Sequence, residues 1–215
     1  MIVGLIIVIG GGIFFYTTRQ SQPLKTEIEI VQQQVPVQFD PVRSYAEDCV
    51  SSISIEGLRI IGKQGGYISF TNRTLNRQAL TITKNPTESE AVYFVEDSDL
   101  RIPYWWHLKS KNNCKGDCEF SSKKPELRQS ENSIEKQLER YIDARLDYCI
   151  NDFEPFKEQG FAILEKGKTK TDVTITPEDI VVVVDYPVKM KIEGTITTLR
   201  QFIARLPVNL ERIYE

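Results

Sequence analysis

The chain opens with a long apolar segment. Residues 2–16 read IVGLIIVIGGGIFFY and contain no charged side chain, and the first charged residue is Arg19. As a helix, residues 1–18 would extend about 27 Å, close to the roughly 30 Å of the hydrocarbon core of a bilayer. The segment has neither the basic region nor the small-x-small cleavage site that a cleaved signal peptide requires. We therefore expect residues 1–18 to form an uncleaved transmembrane helix or the core helix of a filament.

Three consecutive glycines, Gly10, Gly11 and Gly12, lie within this apolar segment. Small residues let helix backbones approach closely in lipid, so the triplet predicts packing against a neighbouring helix, with a flexible kink as the alternative. Arg19 and Lys25 follow the segment, and the positive-inside rule taken alone would place the folded body in the cytoplasm. The cysteines described below indicate the opposite side.

Helical spacing of apolar residues predicts two amphipathic helices after a stalk. Residues 19–40 are rich in Gln and interrupted by proline, which is typical of a stalk or linker. The helices follow at Asp40–Gly62 and Asn132–Phe153. Each carries one cysteine and precedes a Lys/Gln/Gly turn and an apolar strand, at Tyr67–Phe70 and at Phe161–Leu164. This weak internal repeat predicts two similar α+β halves.

Period-two alternation and apolar runs predict strands in much of the remaining sequence. The continuous apolar run Ile180–Val184 is typical of a central strand covered on both faces. The expected fold class is α+β, with an N-terminal apolar helix and stalk, then two amphipathic helices packed on a mainly antiparallel sheet. The first half is expected at 41–130, with the Cys114/Cys118 loop, and the second at 131–215. Further strands are predicted at Ala79–Thr83, Ala91–Glu96, Val173–Thr176, Ile180–Asp185, Val188–Ile192, Thr195–Leu199 and Val208–Tyr214.

Charge and composition narrow the classes of function. The chain has 215 residues, of which 40% are hydrophobic and 27% charged, as in folded globular proteins. Its formal net charge is −3 and it has no stripe of Lys and Arg, which argues against nucleic-acid binding because phosphate backbones attract basic surfaces. It contains no GxxxxGK[ST], HExxH, GxSxG or paired CxxC motif. We therefore expect no cofactor and no enzymatic activity.

The four cysteines, Cys49, Cys114, Cys118 and Cys149, are an even number. At a cell surface this predicts two disulfides, whereas in a reducing cytosol four structural cysteines more often bind metal. A zinc site would need three of them with His107, the single histidine, so we favour disulfides. A local Cys114–Cys118 bridge leaves Cys49 with Cys149, which two helices packed side by side would bring together. The alternative is that Cys49 and Cys149 are free and buried in the core.

An aromatic cluster is the strongest candidate for partner contact. Tyr104, Trp105 and Trp106 are consecutive, and Tyr and Trp are concentrated in binding hot spots. Adjacent residues of a strand face opposite ways, so we expect one Trp in the core and the other exposed. His107 follows them without a second histidine or an activated nucleophile, which favours a structural role over catalysis.

One motif predicts covalent modification. Asn72-Arg73-Thr74 matches the acceptor pattern of N-glycosylation, whereas Asn85-Pro86-Thr87 is excluded by its proline. Such triplets also arise by chance, so the motif gives only mild support for a location outside the cytoplasm.

Several local sequences resemble a known group of proteins. They are the apolar N-terminus, the segment Gln64-Gly65-Gly66-Tyr67-Ile68 after the first cysteine helix, and a tail in which residues 179–187 read DIVVVVDYP and residues 206–208 read LPV. With them the chain resembles uncharacterised N-terminally anchored surface proteins of small-genome archaea over most of its length. Some of that group have pilin-like N-termini, so the resemblance implies a filament or envelope role.

The sequence thus predicts a non-enzymatic cell-surface protein, either a pilin-like filament subunit or an anchored adhesive module. Its expected partners are membrane lipid or copies of itself, contacted through residues 2–16. The alternative is a membrane-anchored extracytoplasmic enzyme or solute-binding domain, which a deep polar pocket with several carboxylates would favour.

Overall fold

A computed structural model describes the folded body of the chain. The predicted transmembrane helix at residues 1–18, its glycines Gly10, Gly11 and Gly12, and the stalk up to residue 34 lie outside the described residues and stay predictions. Within the described part, no helix combines the length and the apolar character needed to cross a bilayer. Residues 33–215 form one compact unit. The described residues are 35–78, 80–83, 85, 88–94, 100–109, 114–116 and 118–214.

The first long helix, α1, spans Asp40–Lys63 and follows a short 3-10 helix at Val37–Phe39. Pro41 lies in its first turn, where the N–H that proline lacks would have no helical partner. Phe39 is fully buried, so the last residues of the predicted 19–40 stalk belong to the folded body. Apolar residues at helical spacing form one buried stripe along α1: Val42, Ala46, Cys49, Val50, Ile53 and Ile61.

The second long helix, α2, spans Ile134–Ile150. Ser133 caps it, because its side-chain oxygen accepts a backbone N–H of the first turn. After α2 the chain turns through three consecutive left-handed residues, Asn151–Phe153, with φ of 47°, 53° and 54°. This conformation is unfavourable for residues with a Cβ, and complete burial of the Phe153 ring offsets its cost. A short helix, α3, follows at Glu154–Lys157.

Four antiparallel strands of the C-terminal third form the main sheet. In the described part of the chain the strands are β1 (Ala91–Tyr93), β2 (Arg101–Pro103), β3 (His107–Leu108), β4 (Phe120–Ser121), β5 (Ala162–Lys166), β6 (Lys170–Ile175), β7 (Ile180–Ile192) and β8 (Thr195–Leu206). The central strand of the main sheet is β7, which pairs with β8 on one side. On its other side, β6 pairs with the first half of β7 and β5 with the second half.

One face of the main sheet is buried and forms one side of the hydrophobic core. Alternate residues of β7 from Ile180 to Met190 are buried, as expected for a strand that presents one face to a core. On the opposite face, Val181 is also buried but Val183 is only half-buried, so the predicted covering of both faces is partial. The main sheet therefore depends on the helices to cover its buried face.

Both long helices complete one core with the main sheet. α1 contacts β8 and α2 contacts β6, and their apolar stripes join the buried face of the sheet in a single cluster. The fold is therefore α+β with helices packed on antiparallel sheet, as the sequence predicts. Gly57 allows α1 to approach α2 closely, since a Cβ at this position would lie 2.6 Å from Cδ1 of Leu138.

The internal repeat predicted from the sequence is not present in the fold. Tyr67–Phe70 forms no strand, and its two rings pack with Leu80 and Ala91 in a small separate cluster. The main sheet comes wholly from the predicted second half of the chain, whereas α1 comes from the first half. The two predicted halves, 41–130 and 131–215, thus share one core.

Strand boundaries also differ from the predicted ones. β7 runs continuously through Pro187, with an irregular register between Asp185 and Val188 that accommodates the proline without breaking the strand. The segment after Pro207 forms a helix, α4 (Leu210–Tyr214), instead of a strand that closes the sheet. The described residues of Ala79–Thr83 form no strand.

A disulfide joins the two long helices. Cys49 of α1 is bonded to Cys149 of α2, and their Cα atoms are 5.8 Å apart. Cys114 and Cys118 form the second bridge. All four cysteines are therefore paired, in the connectivity that side-by-side helices predict. Two disulfides are typical of proteins in an oxidising compartment.

Three carboxylates of α2 cap the free edge of β6. The three carboxylates are four residues apart along α2, and four residues of a helix rise about 6 Å. Their partners are two residues apart along β6, and two residues of a strand rise about 6.7 Å, so each carboxylate lies beside one partner on the strand. The backbone N–H groups of Val173 and Ile175 at this edge are thereby engaged within the chain, which disfavours pairing with a further strand. The bonds run from Ile175 N–H to Glu135 (2.8 Å), from Val173 N–H to Glu139 (3.2 Å) and from the Thr171 hydroxyl to Asp143 (2.6 Å).

Removal of the interhelical disulfide is expected to destabilise the fold more than removal of the loop disulfide. The Cys49→Ala/Cys149→Ala variant opens a bridge between residues 100 apart in sequence, and the matched Cys114→Ala/Cys118→Ala variant opens one between residues 4 apart. Loop-closure entropy gives losses of about 5 and about 2 kcal/mol in the free energy of unfolding. Urea denaturation of both variants beside the unchanged chain measures these losses, and equal losses would contradict the expectation.

The edge cap should make stability depend on the charge of Glu135. Burial is the largest influence on this carboxyl and raises its pKa above the ordinary value, although the Ile175 N–H and the Arg128 charge oppose the shift. A carboxyl whose pKa is higher in the folded state than in the unfolded state stabilises the fold while it is protonated. This stabilisation is complete at a pH below the unfolded-state pKa and is lost as the pH rises through the folded-state pKa.

We therefore expect Glu135→Gln, which keeps the acceptor oxygen for Ile175 N–H, to gain stability relative to the unchanged chain between about pH 4 and pH 7. Glu135→Ala leaves the N–H of Ile175 without its acceptor and should cost about 1–3 kcal/mol. Urea denaturation of the three chains across this pH range is the measurement. A difference between Gln and Glu that does not change with pH would show that the carboxyl is not perturbed by burial.

Candidate functional site

The segment between α1 and α2 carries the aromatic residues predicted to contact a partner. It contains two small antiparallel hairpins, β1 with β2 and β3 with β4. Gln137 of α2 fixes the start of this segment from within the core. Its oxygen accepts the N–H of Ile68, and its amide nitrogen donates to the carbonyls of Gly66 and Asn132. The segment is thus anchored to α2 by hydrogen bonds that are fully buried.

Trp105 is held against the body. Its indole N–H donates to the carbonyl of Gly65 at 2.9 Å, and its ring packs edge-on against Tyr214 of α4, with 5.3 Å between centroids. The Lys124 ammonium lies 4.9 Å from the centre of the Trp105 ring and 4.2 Å from the centre of the Tyr214 ring. These contacts dock the C-terminal helix on the segment, so Trp105 has a structural role. Its side chain is nevertheless 39% exposed, so the prediction that one of the two tryptophans lies in the core is wrong.

Trp106, the next residue, points away from this contact. Its side chain is 70% exposed, and its ring stacks on Phe120 of β4 with 5.5 Å between centroids and 10° between ring planes. Phe120 is itself 49% exposed. Two large rings, both partly exposed, therefore stack on each other at the surface. Adjacent exposed rings form a continuous aromatic patch, which makes them a candidate contact site, whereas singly scattered apolar side chains are common on protein surfaces.

The hairpin below the two rings is closed by covalent and ionic links. The Cys114–Cys118 disulfide joins the chain between β3 and β4. Lys109 and Glu119 form an ion pair across the hairpin at 3.1 Å, on exposed side chains that contribute little to stability. Because each strand has only two residues, strand pairing gives few contacts, and the disulfide shortens the loop that connects the strands.

Tyr104 and His107 flank the two tryptophans. Their ring centroids are 6.1 Å apart. The backbone N–H of Tyr104 donates to the carbonyl of Glu90, and its carbonyl accepts the N–H of Lys123. Nδ1 of His107 is buried and has no hydrogen-bond partner among the described residues. Tyr104 thus positions the segment through its backbone.

A largely buried ion pair links two parts of the segment between α1 and α2. Lys123 and Glu90 lie 2.6 Å apart, with side chains about three-quarters buried. Burial alone would raise the pKa of Glu90, but hydrogen bonds from Lys123 and from the backbone of Thr81 lower it below its ordinary value. Burial, and then the charge of Glu90, raises the pKa of the nearby Tyr67 to about 12, so its hydroxyl stays protonated and donates to the carbonyl of Lys123.

An open cleft of about 630 Å³ lies along β5. It is lined by β5 and by Asp152 and Lys157. Asp152 accepts hydrogen bonds from Lys157 and Lys166, which lower the pKa of its carboxyl. The carboxylate is therefore occupied by two ammonium groups. The cleft does not have the set of several free carboxylates that would favour an enzyme or a solute-binding site.

The other predicted site residues lie apart from the aromatic pair. Asn72 is exposed in a turn that follows the small cluster around Tyr67. In the described part of the chain, no group of three or more His, Cys, Asp or Glu side chains is placed to hold a metal ion. Gly10, Gly11 and Gly12 lie outside the described residues.

Sequence reasoning missed one member of the pair. Phe120 lies 14 positions after Trp106, beyond the disulfide loop, so no local pattern links the two residues. The two cysteines between them were the available signal, because a short bridge folds the chain back on itself and brings its two arms together.

Comparison with protein-family models, with curated proteins and with solved structures finds no match to this chain. The resemblance to anchored surface proteins of small-genome archaea therefore stays a prediction.

The two tryptophans should respond differently to truncation. Trp105→Ala removes a hydrogen bond to Gly65 and the packing of α4, and we expect it to lower the free energy of unfolding by about 2 kcal/mol or more. Trp106→Ala removes only a surface stacking contact and should cost about 1 kcal/mol or less. Chemical denaturation of the two variants measures the difference. A larger loss for Trp106→Ala would show that its ring is part of the stabilising core.

Proposed function

We propose that the chain is a non-enzymatic cell-surface protein whose folded body makes adhesive contacts outside the cytoplasm through Trp106 and Phe120. The observation that carries the proposal is the stacked, water-exposed pair of rings on a hairpin closed by the Cys114–Cys118 disulfide. The proposed activity is binding, and the hairpin presents the two rings.

Energetics support a contact role for the pair. Apolar surface left in water forgoes about 25 cal/mol for each Å² that could be buried. Trp105 shows that this segment can use a tryptophan for internal packing, yet Trp106 remains 70% exposed beside it. A partner that covers the two rings would recover that free energy, and rigid aromatic side chains lose little conformational entropy on binding.

Two further features support the location. The paired cysteines fit an oxidising compartment, since thiols in a reducing cytosol are kept free or bind metal. The apolar residues 2–16 would hold the chain in a membrane, or against copies of itself in a filament, with Gly10, Gly11 and Gly12 at the helix contact.

The capped sheet edge bears on how copies would assemble. Because carboxylates of α2 engage the edge of β6, addition of a strand from a second copy at that edge is disfavoured. β5 is short, has an irregular register against β7 and ends in Lys166, features that also discourage pairing with another strand. Strand addition at the β6 and β5 edges is therefore disfavoured, and assembly would use other surfaces, such as the apolar N-terminal segment or the aromatic pair.

Attachment of living cells tests the proposal. Cells that naturally produce the chain are compared with strains in which it carries Trp106→Ala or the matched control Tyr148→Ala, a substitution of an aromatic residue that is 89% exposed on α2. We expect immunolabelling to place all three chains at the cell surface in equal amounts, and only Trp106→Ala to lower cell-to-cell attachment several-fold.

Two results would count against the proposal in different ways. Unchanged attachment with Trp106→Ala at the surface would remove the adhesive role of the rings. A chain found in the cytosol with reduced thiols would remove the location. Electron microscopy of the same membranes distinguishes ordered filaments from single anchored molecules.

A further inference from the structure

We infer that Asn72 is an N-glycosylation site, whose side-chain amide receives a glycan from a lipid-linked sugar phosphate. The inference rests on the proposed location outside the cytoplasm, and its evidence is the geometry of the turn that presents the Asn72-Arg73-Thr74 motif.

The three residues of the motif are all exposed. The backbone N–H of Thr74 donates to Oδ1 of Asn72 at 2.9 Å. Only an oxygen can accept this hydrogen bond, so the bond itself assigns the two ends of the carboxamide. Nδ2 of Asn72 therefore lies on the far side of the amide group, where no described residue bonds to it. The nitrogen that would carry the sugar is free and faces solvent.

Backbone hydrogen bonds hold the turn in this shape. The carbonyl of Asn72 accepts the N–H groups of Leu75 and Asn76 at 3.1 and 2.8 Å. The N–H of Asn72 donates to the Ser69 hydroxyl at 3.1 Å. Both backbone groups of Asn72 are thus satisfied inside the turn. A glycan on the side chain would break none of these bonds.

The inner side of the turn is fixed to the body. Nε of Arg140 on α2 donates to the carbonyl of Leu75 at 3.0 Å, and Asn132 accepts the N–H of Arg77 at 3.2 Å. Asn76 is fully buried between these contacts. The body therefore holds the turn on one side through Leu75 and Arg77, whereas residues 72–74 are exposed to solvent.

The chemistry is a substitution at the anomeric carbon of the donor sugar. Nδ2 of Asn72 forms a bond to that carbon while the bond from the carbon to the phosphate oxygen breaks. The electron pair of the broken bond leaves with the lipid phosphate, and the amide nitrogen releases one proton. A membrane-bound oligosaccharyltransferase catalyses this transfer from the lipid-linked sugar phosphate, which is the donor substrate, and neither oxidant nor reductant is needed.

The chain contains its own negative control. Asn85 is followed by Pro86 and Thr87, and a proline in the middle position prevents the triplet from serving as an acceptor. Pro86→Ala would convert this triplet into a second acceptor motif in the same protein. The two triplets can therefore be compared in one molecule, exposed to the same transferase.

Mass spectrometry of the full chain from its natural cells tests the inference. Trypsin releases Asn72 within residues 64–73 and Asn85 within residues 85–101. We expect sugar mass on the first peptide in the unchanged chain and in Thr74→Ser, which keeps the hydroxyl. We expect none in Thr74→Ala or Asn72→Gln, and none on the second peptide unless Pro86→Ala is present.

The outcomes separate this inference from the proposed function. If Pro86→Ala gains a glycan at Asn85 while Asn72 carries none, the site is overturned and the location stands. If neither asparagine is modified but both disulfides are formed, the site is again overturned and the location stands. If neither is modified and the thiols are reduced, both the site and the location are overturned. Urea denaturation of Thr74→Ala confirms that loss of sugar does not come from unfolding.

Discussion

One face of the main sheet has to be covered by two helices, and only one of them is close to the sheet in sequence. α2 is followed, after the short helix α3, by β5 and β6, whereas α1 is separated from the main sheet by the whole segment between the two long helices. The Cys49–Cys149 bridge, between residues 100 apart, ties the distant helix to the near one. The close approach at Gly57 and the strained turn at Asn151–Phe153 serve the same core, since both allow buried side chains to meet. Without α1 the buried residues of β8 would face water.

The edges of the main sheet show how the same contacts limit association. A helix packed beside an edge strand brings its own side chains within reach of the unpaired N–H groups, and α2 places carboxylates at that distance. These groups lose part of their hydration, which is why burial raises the pKa of Glu135. The arrangement disfavours addition of a strand from another copy at the β6 edge. The exposed rings of Trp106 and Phe120 offer a different surface for contact, made by side chains.

The segment between α1 and α2, which carries the exposed rings, is stabilised by different interactions from those of the main core. Its own apolar cluster is small, with Tyr67, Phe70, Leu80 and Ala91 as the buried members. Hydrogen bonds from Gln137, the docking of Trp105 against Tyr214 and the Cys114–Cys118 bridge compensate for that small core. A segment held in this way can present apolar rings to water without unfolding, because few of its stabilising contacts involve those rings. The exposed turn at Asn72 lies in the same segment and is likewise held from its inner side.

The sequence by itself determined the two long helices and the central strand, and it favoured the observed cysteine pairing. Helical periodicity located α1 and α2 to within a few residues, because it records one buried face of each helix. The continuous apolar run at Ile180–Val184 located the central strand, because such a run records burial on both faces of a strand, which the structure shows in part. Tertiary structure decided which of two adjacent tryptophans is the more exposed, that Phe120 is its partner, and that Tyr67–Phe70 packs by its rings without forming a strand. These outcomes depend on residues far apart in the chain, such as Gly65 and Tyr214 around Trp105, and a local pattern carries no information about which distant surface a side chain will meet.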